Sequence, residues 1–408
     1  MRIALLSYRS KEHCGGQGVY VRYLSQGLVD LGHEVEVFSG QPYPEALDPR
    51  VTLTRVPSLD VFGRVGPDGE LRLPRPERGW SRHDWLEWAL TATGCFAEPL
   101  TFSLRAARVV RRRRADFDVV HDNQCLGYGL LSIRRRAPLV ATVHHPISRD
   151  RKVELAQARG LRRLSVARWY GFVRMQARVA RRLPVLIGVS DIAAADAVDD
   201  FGIPAGRFHV VPLGVDTDTF RPRGPRVPGR IVAVASADRP LKGVGHLLDA
   251  VAKLRVERDV ELHLVSALEP GGPTERRIEQ LGLGDCTTVV SGLSDDELAA
   301  LMASAEVMCV PSLYEGFSLP TVEALACGTP VVASRAGALP EVVGDDAVLV
   351  EPGDVEALVS ALEGLLDSPA ERARLARDGR ARALQRYSWT SVARATVEAY
   401  ELAREQAC

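Results

Sequence analysis

Short runs rich in valine, isoleucine and leucine alternate with longer amphipathic stretches along the whole chain. This alternation predicts an α/β fold with a parallel sheet covered by helices on both faces, because strands buried in that way read as apolar runs. The runs in the first half are residues 2–7, 34–38, 51–56, 117–120, 139–143 and 185–189. Those in the second half are residues 231–236, 261–266, 287–290, 307–311, 330–333 and 348–350. The pattern therefore occurs twice.

A segment dense in proline and glycine separates the two halves. Residues 212–229 contain Pro212, Pro222, Pro225 and Pro228 beside three glycines, and this composition is typical of a linker. The length of 408 residues fits two or three domains at roughly 100–200 residues each, and the linker favours two. We expect doubly wound domains at residues 1–211 and 230–387. Because open parallel sheets bind ligands at the carboxyl ends of their strands, a cleft between these domains is the expected site.

The charges balance, since 52 basic and 52 acidic side chains give a formal net charge of zero. This balance argues against a chain that is basic throughout and wraps nucleic acid. The apolar stretch at residues 3–6 is shorter than a signal-peptide core of about 7–15 residues. No apolar run of about 18 residues occurs, so we expect a cytoplasmic protein. Seven scattered cysteines without CxxC spacing predict free thiols rather than a zinc site.

The densest cluster of chemistry-bearing residues is PSLYEGFSLPTVEALACGTPVVAS, residues 311–334. A turn with Glu315 follows an apolar strand, and a helix with Glu323 in its first turns comes next. The backbone N–H groups at that helix start, with Ser318 as N-cap and Pro320 in the first turn, form a site for an anion. The two carboxylates, as hydrogen-bond acceptors only, can bind sugar hydroxyls beside a phosphate. On spacing alone, solvated surface glutamates are the commoner explanation.

This cluster resembles the signature of the family-4 retaining glycosyltransferases, in which a glutamate, seven residues and a second glutamate bracket the nucleotide-sugar site. The resemblance covers nearly the whole chain and implies the glycosyltransferase B fold, with two Rossmann-like doubly wound domains facing across a cleft. It implies that Glu315 contacts the donor sugar and that Glu323 holds the ribose hydroxyls. It also implies donor contacts from the backbone at four positions, Gly316 and Phe317 for the sugar and Ser318 and Leu319 for the diphosphate.

Three further segments of the first half fit the same family. The glycine-rich segment after the first strand resembles its first loop, which implies that Gly15 and Gly16 let the backbone approach the donor diphosphate and the acceptor. Alone, such a loose glycine cluster is more typical of a turn. His144, just past a predicted strand, matches the family histidine beside the donor sugar, with His145 as second choice. His121, at the end of another strand, matches a histidine that faces the acceptor. Without the resemblance, histidines in such places are often satisfied loop residues.

Residues 235–251 resemble the strand, loop and helix start that supply a basic pair for the leaving diphosphate. Lys242 matches the lysine of that pair, and a fixed ammonium there would neutralise charge as the sugar–phosphate bond breaks. The sequence departs from the family at the other member, because Ser236 and Ala237 occupy the place of the usual Gly-Arg. Arg239, two places later, is the candidate replacement.

Residues 57–100 interrupt the alternation and hold three of the five tryptophans, Trp80, Trp85 and Trp88. One interpretation is a helix from about His83 whose Trp85 and Trp88 pack against the core. The other is an aromatic platform for an acceptor, with Trp85 as its candidate residue.

Residues 101–190 carry 20 basic and five acidic side chains, a net charge of +15. Within them, apolar residues can fall near one face of a helix, namely Leu161, Leu164, Trp169, Phe172, Val173, Met175 and Val179. Arginines lie largely elsewhere, which suits a peripheral helix at the inner face of an anionic membrane and a lipid-linked acceptor. A helix packed on its own domain with a solvated arginine face explains the pattern more simply.

The resemblance implies transfer of a hexosyl group from a nucleotide diphosphate sugar to a hydroxyl acceptor, with retention and without a cofactor. We expect a front-face displacement, because no carboxylate of the matched site is placed as a covalent nucleophile. No metal is expected, since the DxD sequence Asp216-Thr217-Asp218 lies in the linker and is more typical of a turn.

The base pocket implied by the family is mainly backbone near Gly292 and Leu293, and UDP is favoured over GDP or ADP on family frequency. Residues 388–408 resemble the closing helix of the family, which returns to the first domain, with Trp389 as its anchor. Two alternatives remain at this point, a nucleotide-sugar epimerase of the same fold and a non-catalytic nucleotide-sugar binder.

Overall fold

The computed structural model describes residues 1–11, 16–64, 71–144 and 147–407. The chain divides into two compact units. Met1–Pro212 and Val392–Cys408 form the first, and Leu213–Ser391 form the second. Gly15 and His145, for which the sequence predicts donor contacts, lie outside the described residues.

The first unit is built on a seven-stranded parallel sheet with the order β3-β2-β1-β4-β5-β6-β7. Its strands are β1 Arg2–Ser7, β2 Glu34–Ser39, β3 Thr52–Arg55, β4 Val119–Asn123, β5 Leu139–Val143, β6 Val185–Gly188 and β7 Phe208–Val210. The strand order reverses between β1 and β4, where open α/β sheets form a crevice. Six of these strands were predicted, whereas β7 was missed because it has only three residues and is partly exposed.

Helices cover both faces of this sheet. They are α1 Gly16–Asp30, α2 Arg82–Ala92, α3 Glu98–Arg112, α4 Gly129–Arg134, α5 Ser148–Gln157, α6 Gly160–Trp169, α7 Phe172–Ala180 and α8 Asp191–Phe201. Local sequence sets their ends, as α2 begins with a reciprocal capping box between Ser81 and Asp84. Helix α8 begins at the N-cap Ser190 and ends at Gly202, whose φ of 64° is the left-handed conformation that favours glycine.

The second unit has a six-stranded parallel sheet with the order β10-β9-β8-β11-β12-β13. Its strands are β8 Arg230–Val234, β9 Glu261–Val265, β10 Thr287–Val290, β11 Val307–Val310, β12 Val331–Ser334 and β13 Val348–Val350. All six were predicted. Its helices are α9 Val244–Leu254, α10 Pro273–Gln280, α11 Asp295–Ser304, α12 Leu319–Ala326, α13 Leu339–Val343, α14 Val355–Asp367 and α15 Pro369–Arg386. The doubly wound α/β prediction is therefore confirmed.

The closing helix α16, Trp389–Glu405, is shared between the units. At its start Trp389 packs against the Gly214 backbone so closely that a Cβ there would lie 2.5 Å from the indole ring. Further along, the fully buried Tyr400 lies 2.7 Å from Nδ1 of His121 in the first unit.

The proline- and glycine-rich segment differs from a free linker, because from Leu213 onward it belongs to the second unit. The Val227 N–H donates to the Ser304 carbonyl at 2.8 Å, and Arg223 forms an ion pair with Asp296 at 2.8 Å. Within the described ranges, no helix is both long and apolar enough to cross a membrane. The free-thiol prediction is confirmed for the five described cysteines, Cys95, Cys125, Cys286, Cys309 and Cys327.

Candidate active site

Loops from three adjacent strands meet in the second unit. They follow the carboxyl ends of β8, β11 and β12, which lie side by side in the sheet. The loop after β11 carries Glu315, the loop after β8 carries Lys242, and the loop after β12 carries Gly337. The strand order thus gathers residues that are distant in sequence at one edge of the sheet.

Lys242 and Glu315 are paired directly. The Lys242 ammonium donates to Oε1 of Glu315 at 2.8 Å, and the Ser312 hydroxyl donates to the same oxygen at 2.7 Å. The lysine side chain is 31% exposed and the glutamate side chain 12% exposed, so a cation and an anion lie together at an accessible edge. The structure therefore brings together two residues that the sequence placed in one site.

Close backbone contacts fix the Glu315 loop on both sides. A Cβ at Gly243 would lie 2.0 Å from the Pro311 carbonyl oxygen, and a Cβ at Gly337 would lie 2.1 Å from the Glu315 carbonyl oxygen. Both glycines also have positive φ, 64° and 54°. The Ala338 N–H donates to the Glu315 carbonyl at 2.9 Å. Only glycine allows this approach, so the two positions hold the glutamate in place.

Helix α12 begins beside this loop, with Ser318 at the N-cap and Pro320 in the first turn, as predicted. The side-chain cap predicted for Ser318 is wrong. Its φ is 85°, its side chain makes no cap hydrogen bond, and its hydroxyl lies 2.8 Å from the Thr321 hydroxyl. The first backbone N–H groups of α12 are thus left to other acceptors. Phe317, next to the cap, is buried edge-on against Tyr387.

Glu323 follows one turn into α12 and is partly buried. Desolvation, with a smaller effect from the charge of Asp295, raises its pKa to about 8. The carboxyl group is therefore protonated at neutral pH in the free protein and can donate a hydrogen bond. The sequence-based expectation of an acceptor-only side chain did not take this desolvation into account, and the contact of Glu323 with the ribose hydroxyls stays a prediction.

The remaining predicted donor residues of the second unit are exposed or partly buried. Arg239 is exposed and forms no ion pair with the residues that the structure describes. Gly292 is exposed at the carboxyl end of the edge strand β10, and Leu293 beside it is partly buried. Base and phosphate contacts at these residues stay predictions, as do the contacts of Gly316 and Leu319.

In the first unit, His144 lies at the carboxyl end of β5 beside the end of β4. Its Nε2 lies 2.6 Å from Oδ1 of Asn123, while the Asn123 amide donates to the Gln17 carbonyl at 3.3 Å. This orientation assigns Nε2 as the protonated nitrogen of His144 and leaves Nδ1 as an acceptor. Burial lowers the His144 pKa to about 3, so the imidazole is neutral.

Sequence reasoning missed Asn123 and Gln124, which position this histidine. The Gln124 side chain accepts the His144 backbone N–H at 2.6 Å, and Gln124 itself has a φ of 54°. The signal was the polar run HDNQ after an apolar strand. Gly16, the other predicted donor residue of this unit, is exposed at the first position of α1.

The acceptor-facing role predicted for His121 is wrong. The residue is fully buried inside β4. Its Nδ1 lies 2.7 Å from the Tyr400 hydroxyl, and its Nε2 lies 2.7 Å from the Thr142 hydroxyl. With both ring nitrogens occupied, the imidazole is a structural link between β4, β5 and α16.

Trp85 is 47% exposed on α2, so the prediction that it packs against the core is wrong. The rings of Trp80 and Trp88 lie 5.2 and 6.3 Å from it, both edge-on. Trp88 is anchored by a 3.1 Å hydrogen bond from its indole N–H to the Pro74 carbonyl. An aromatic cluster with one exposed ring, that of Trp85, is thus present, and its use by an acceptor stays a prediction.

The basic amphipathic stretch from Leu161 to Val179 forms two helices, α6 and α7, rather than one. In α7, the apolar residues Val173, Met175 and Val179 are buried in the core, as the simpler interpretation predicted. In α6, however, Leu161 and Leu164 are 84% and 66% exposed. Packing on the domain therefore describes α7, whereas α6 exposes the apolar residues that a peripheral membrane helix would need.

The Asp216–Asp218 sequence forms a turn. Oδ1 of Asp216 accepts the Asp218 N–H at 3.1 Å, and Oδ2 accepts the Thr219 hydroxyl at 2.8 Å. The predicted turn is confirmed.

Comparison with known proteins gives the family. Residues 14–219 match the model described as Glycosyltransferase Family 4, and residues 216–382 match Glycosyl transferases group 1. The chain is 64% identical to an MMP alpha-(1->4)-mannosyltransferase of Mycolicibacterium hassiacum, over 100% of both chains. It is 30% identical to a D-inositol 3-phosphate glycosyltransferase of Pseudarthrobacter chlorophenolicus, over 98% of this chain and 95% of that protein.

Two solved structures share the fold. Sucrose-phosphate synthase from Thermosynechococcus elongatus has a TM-score of 0.74 at 23% identity, over 98% of each chain. Anabaena HepE, in complex with UDP and glucose, has a TM-score of 0.68 at 18% identity, over 98% of this chain and 100% of that one. With its two doubly wound units, the chain is a glycosyltransferase and belongs to family 4, with the two-domain glycosyltransferase B fold.

Proposed function

We propose that this protein transfers a mannosyl group from a nucleoside diphosphate sugar to a sugar hydroxyl and forms an α-(1→4) linkage. The observation that carries the proposal is the 64% identity to a protein named for that activity over the full length of both chains. The pair formed by Lys242 and Glu315 at the carboxyl edge of the second sheet gives the proposal a reacting centre.

The proposed role of Lys242 is to stabilise the leaving diphosphate. Its ammonium is 31% exposed and already lies at the edge where the donor is expected, while Glu315 holds it at 2.8 Å. The uncapped N–H groups at the start of α12 add donors for the same phosphates, where the helix dipole favours negative charge. The ammonium and these N–H groups then stabilise the charge that develops on the leaving group, without a rearrangement of the backbone.

We propose that transfer proceeds with retention and without a metal ion. An α-linked donor that yields an α-(1→4) product keeps its anomeric configuration. The leaving phosphate takes the proton of the acceptor hydroxyl, and Lys242 offsets the charge on the departing diphosphate. His144, neutral and with Nδ1 free to accept, is proposed to bind a hydroxyl of the donor sugar. Turnover that survives EDTA supports the metal-independent route, and strict metal dependence contradicts it.

Uridine is the base expected from the family resemblance, and the HepE complex with UDP agrees with it at the level of the fold alone. A thermal-shift panel of UDP, GDP and ADP, with UDP- and GDP-mannose, ranks the bases directly because a bound ligand stabilises the folded state. A larger shift with GDP than with UDP would contradict uridine and leave mannosyl transfer intact.

The test of the reacting centre compares two lysines. Lys242→Met removes the ammonium and keeps the length of the side chain, and we expect kcat to fall about 10²–10³-fold. Lys253→Met is the matched control, because Lys253 pairs with Glu356 on the surface of α9. The product is followed by mass spectrometry and its linkage by NMR. Equal rates for the two variants would refute the role of Lys242, and an epimerised nucleotide sugar formed without acceptor would indicate an epimerase.

We also propose that α6 makes peripheral contact with an anionic membrane. Leu161, Leu164 and Trp169 are exposed there beside arginines, a combination that binds anionic lipid surfaces. Co-sedimentation with phosphatidylglycerol vesicles at low salt should fall in Leu161→Gln/Leu164→Gln. Absence of binding by the unaltered protein would end the proposal.

A further inference from the structure

A cavity of about 700 Å³ lies in the first unit, between α2, α3 and α4. None of the candidate donor residues of either unit, Gly16 and His144 included, is among the described residues that line it, so this cavity is separate from the donor site. Its size falls within the range of about 300–1,000 Å³ in which proteins bind small molecules.

The lining of the cavity is strongly basic. Five arginines contribute to it, Arg82, Arg108, Arg111, Arg112 and Arg136. None of the described lining residues is acidic. Across the part of the chain that the structure describes, none of these five guanidinium groups forms an ion pair with a carboxylate. Since arginine keeps its charge at all ordinary pH values, the cavity gathers about five uncompensated positive charges.

Nearby carboxylates are used elsewhere. Asp84 and Glu87 on α2 both pair with Arg105, at 2.6 and 2.5 Å. Arg105 is buried, whereas the cavity arginines Arg108 and Arg112 on the same helix α3 are exposed. The acids of this region thus neutralise the core and leave the cavity positive.

The helix dipoles favour some of the cavity arginines and disfavour another. Arg111 and Arg112 lie in the last turn of α3, where the helix dipole favours cations. Arg82, by contrast, is the first residue of α2, where the dipole disfavours a cation. Burial, followed by the charges of Arg105 and Arg82, lowers the pKa of His83 beside it. An anion in the cavity would offset the unfavourable interaction of Arg82 with the helix dipole. It would also favour the charged form of His83.

The remaining lining groups suit a phosphorylated ligand. Guanidinium groups bind phosphate oxygens through paired hydrogen bonds. The Tyr128 hydroxyl, which accepts a hydrogen bond from Arg178 at 3.2 Å, and the Ser132 hydroxyl supply further polar contacts. Leu104 and Ala107 give one wall an apolar surface.

We propose that this cavity binds a phosphate-bearing polyanion, either a free phosphorylated small molecule or the headgroup of an anionic phospholipid. The ligand carries at least two negative charges, which several arginines share. The site is separate from donor binding and works whatever the sugar or base that the second unit accepts.

The test uses pyrophosphate as the probe. Titration calorimetry is run with the donor site saturated by the nucleoside diphosphate that gives the largest thermal shift, so that pyrophosphate reports on the cavity. Arg108→Gln/Arg112→Gln should weaken its binding about tenfold or more. Arg134→Gln/Arg135→Gln is the matched control, because it removes the same charge from exposed arginines of α4 and its C-cap outside the cavity. Equal weakening in both variants, or no binding by the unaltered protein, would overturn the proposal.

A second readout does not depend on the variants folding. Bound pyrophosphate should raise the pKa of His83, measured by NMR titration of its ring proton, because an anion beside an imidazole favours its charged form. An unchanged His83 titration at saturating pyrophosphate would count against the site. Vesicles identify the source of the ligand. Vesicles that contain phosphatidic acid, whose phosphomonoester headgroup carries up to two negative charges, indicate a lipid source if pyrophosphate displaces them, and pyrophosphate binding without such displacement indicates a free phosphorylated molecule.

Discussion

Replacement of Glu323 by glutamine tests the buried carboxyl group of the candidate site. Desolvation raises the Glu323 pKa from 4.5 to about 8 in the folded protein. Between these two pH values the folded state holds a proton that the unfolded chain has released. The contribution of this group therefore lowers the free energy of unfolding as the pH rises from about 4.5 to 8. Glutamine has no such proton and should not show the loss.

The size of the effect follows from the shift. A displacement of about 3.5 pKa units at 1.36 kcal/mol each sets an upper bound of about 5 kcal/mol above pH 8. Because the side chain keeps partial solvent exposure, about 2 kcal/mol is the expected value. For a domain of about 150–250 residues this corresponds to roughly 4–8 °C in Tm.

The assay is the difference in Tm between Glu323→Gln and the unaltered protein, measured from pH 5 to pH 8.5. We expect the difference to grow steadily in favour of the variant. Glu279→Gln is the matched control, because it makes the same substitution at an exposed position of α10. If the Glu323→Gln difference did not change with pH, the account of burial at this carboxyl group would be refuted.

The same carboxyl group links pH to donor binding. If Glu323 accepts the ribose hydroxyls, it must lose its proton when the nucleotide binds. Binding at pH 7 should then release up to about one proton and tighten as the pH rises towards 8. Calorimetry in buffers of different ionisation enthalpy measures this release, and Glu323→Gln should abolish it. Binding without proton release would show that the carboxyl group stays protonated and donates to the nucleotide.

Three further outcomes are expected. Gly337→Ala should abolish transfer and lower Tm, because its Cβ would lie 2.1 Å from the Glu315 carbonyl oxygen; activity at the unaltered level would contradict the close approach. Tyr400→Phe should lower the free energy of unfolding by about 1–3 kcal/mol, since it leaves Nδ1 of the buried His121 without a partner, as chemical denaturation can measure. Burial lowers the pKa of His121 and of His144 to about 3. Below pH 6.5 only the unfolded chain binds protons at these two residues, so Tm should fall as the pH drops from 6.5 to 5. Constant NMR shifts of both rings over that range would confirm that they stay neutral.

The sequence predicted the sheets well because strand periodicity is a local property. Twelve of the thirteen strands were expected from apolar runs alone. The error at His121 shows the limit of predicting strand ends from apolar runs. The apolar run stops at Val120, but β4 continues to Asn123, because β1 pairs with it as far as Asp122 and β5 as far as Asn123. His121 therefore lies inside the sheet, whereas His144 lies one residue beyond the end of β5.

Contacts across long stretches of chain were beyond sequence reasoning. Lys242 and Glu315 are 73 residues apart, and only the adjacency of β8 and β11 brings their side chains together. The motif predicted that both belong to the donor site, but it did not predict that they pair with each other. The protonation of Glu323 was missed for a related reason, because the desolvation that raises its pKa comes from neighbours packed around the helix rather than from the motif.

The basic stretch shows that a net charge does not identify a binding site until the fold is known. Residues 101–190 have a net charge of +15, which as a sum was compatible with a membrane contact or a lipid-linked acceptor and was explained more simply by a solvated surface. The fold separates arginines that are paired with acids from arginines that are not. Arg105 is neutralised in the core by two acids of α2, yet Arg108, three residues later on α3, lines a cavity with no acid among its described residues. Because electrostatic energy depends on distance and burial rather than on totals, the selective part of this charge is the small group of arginines that the fold leaves uncompensated around one cavity.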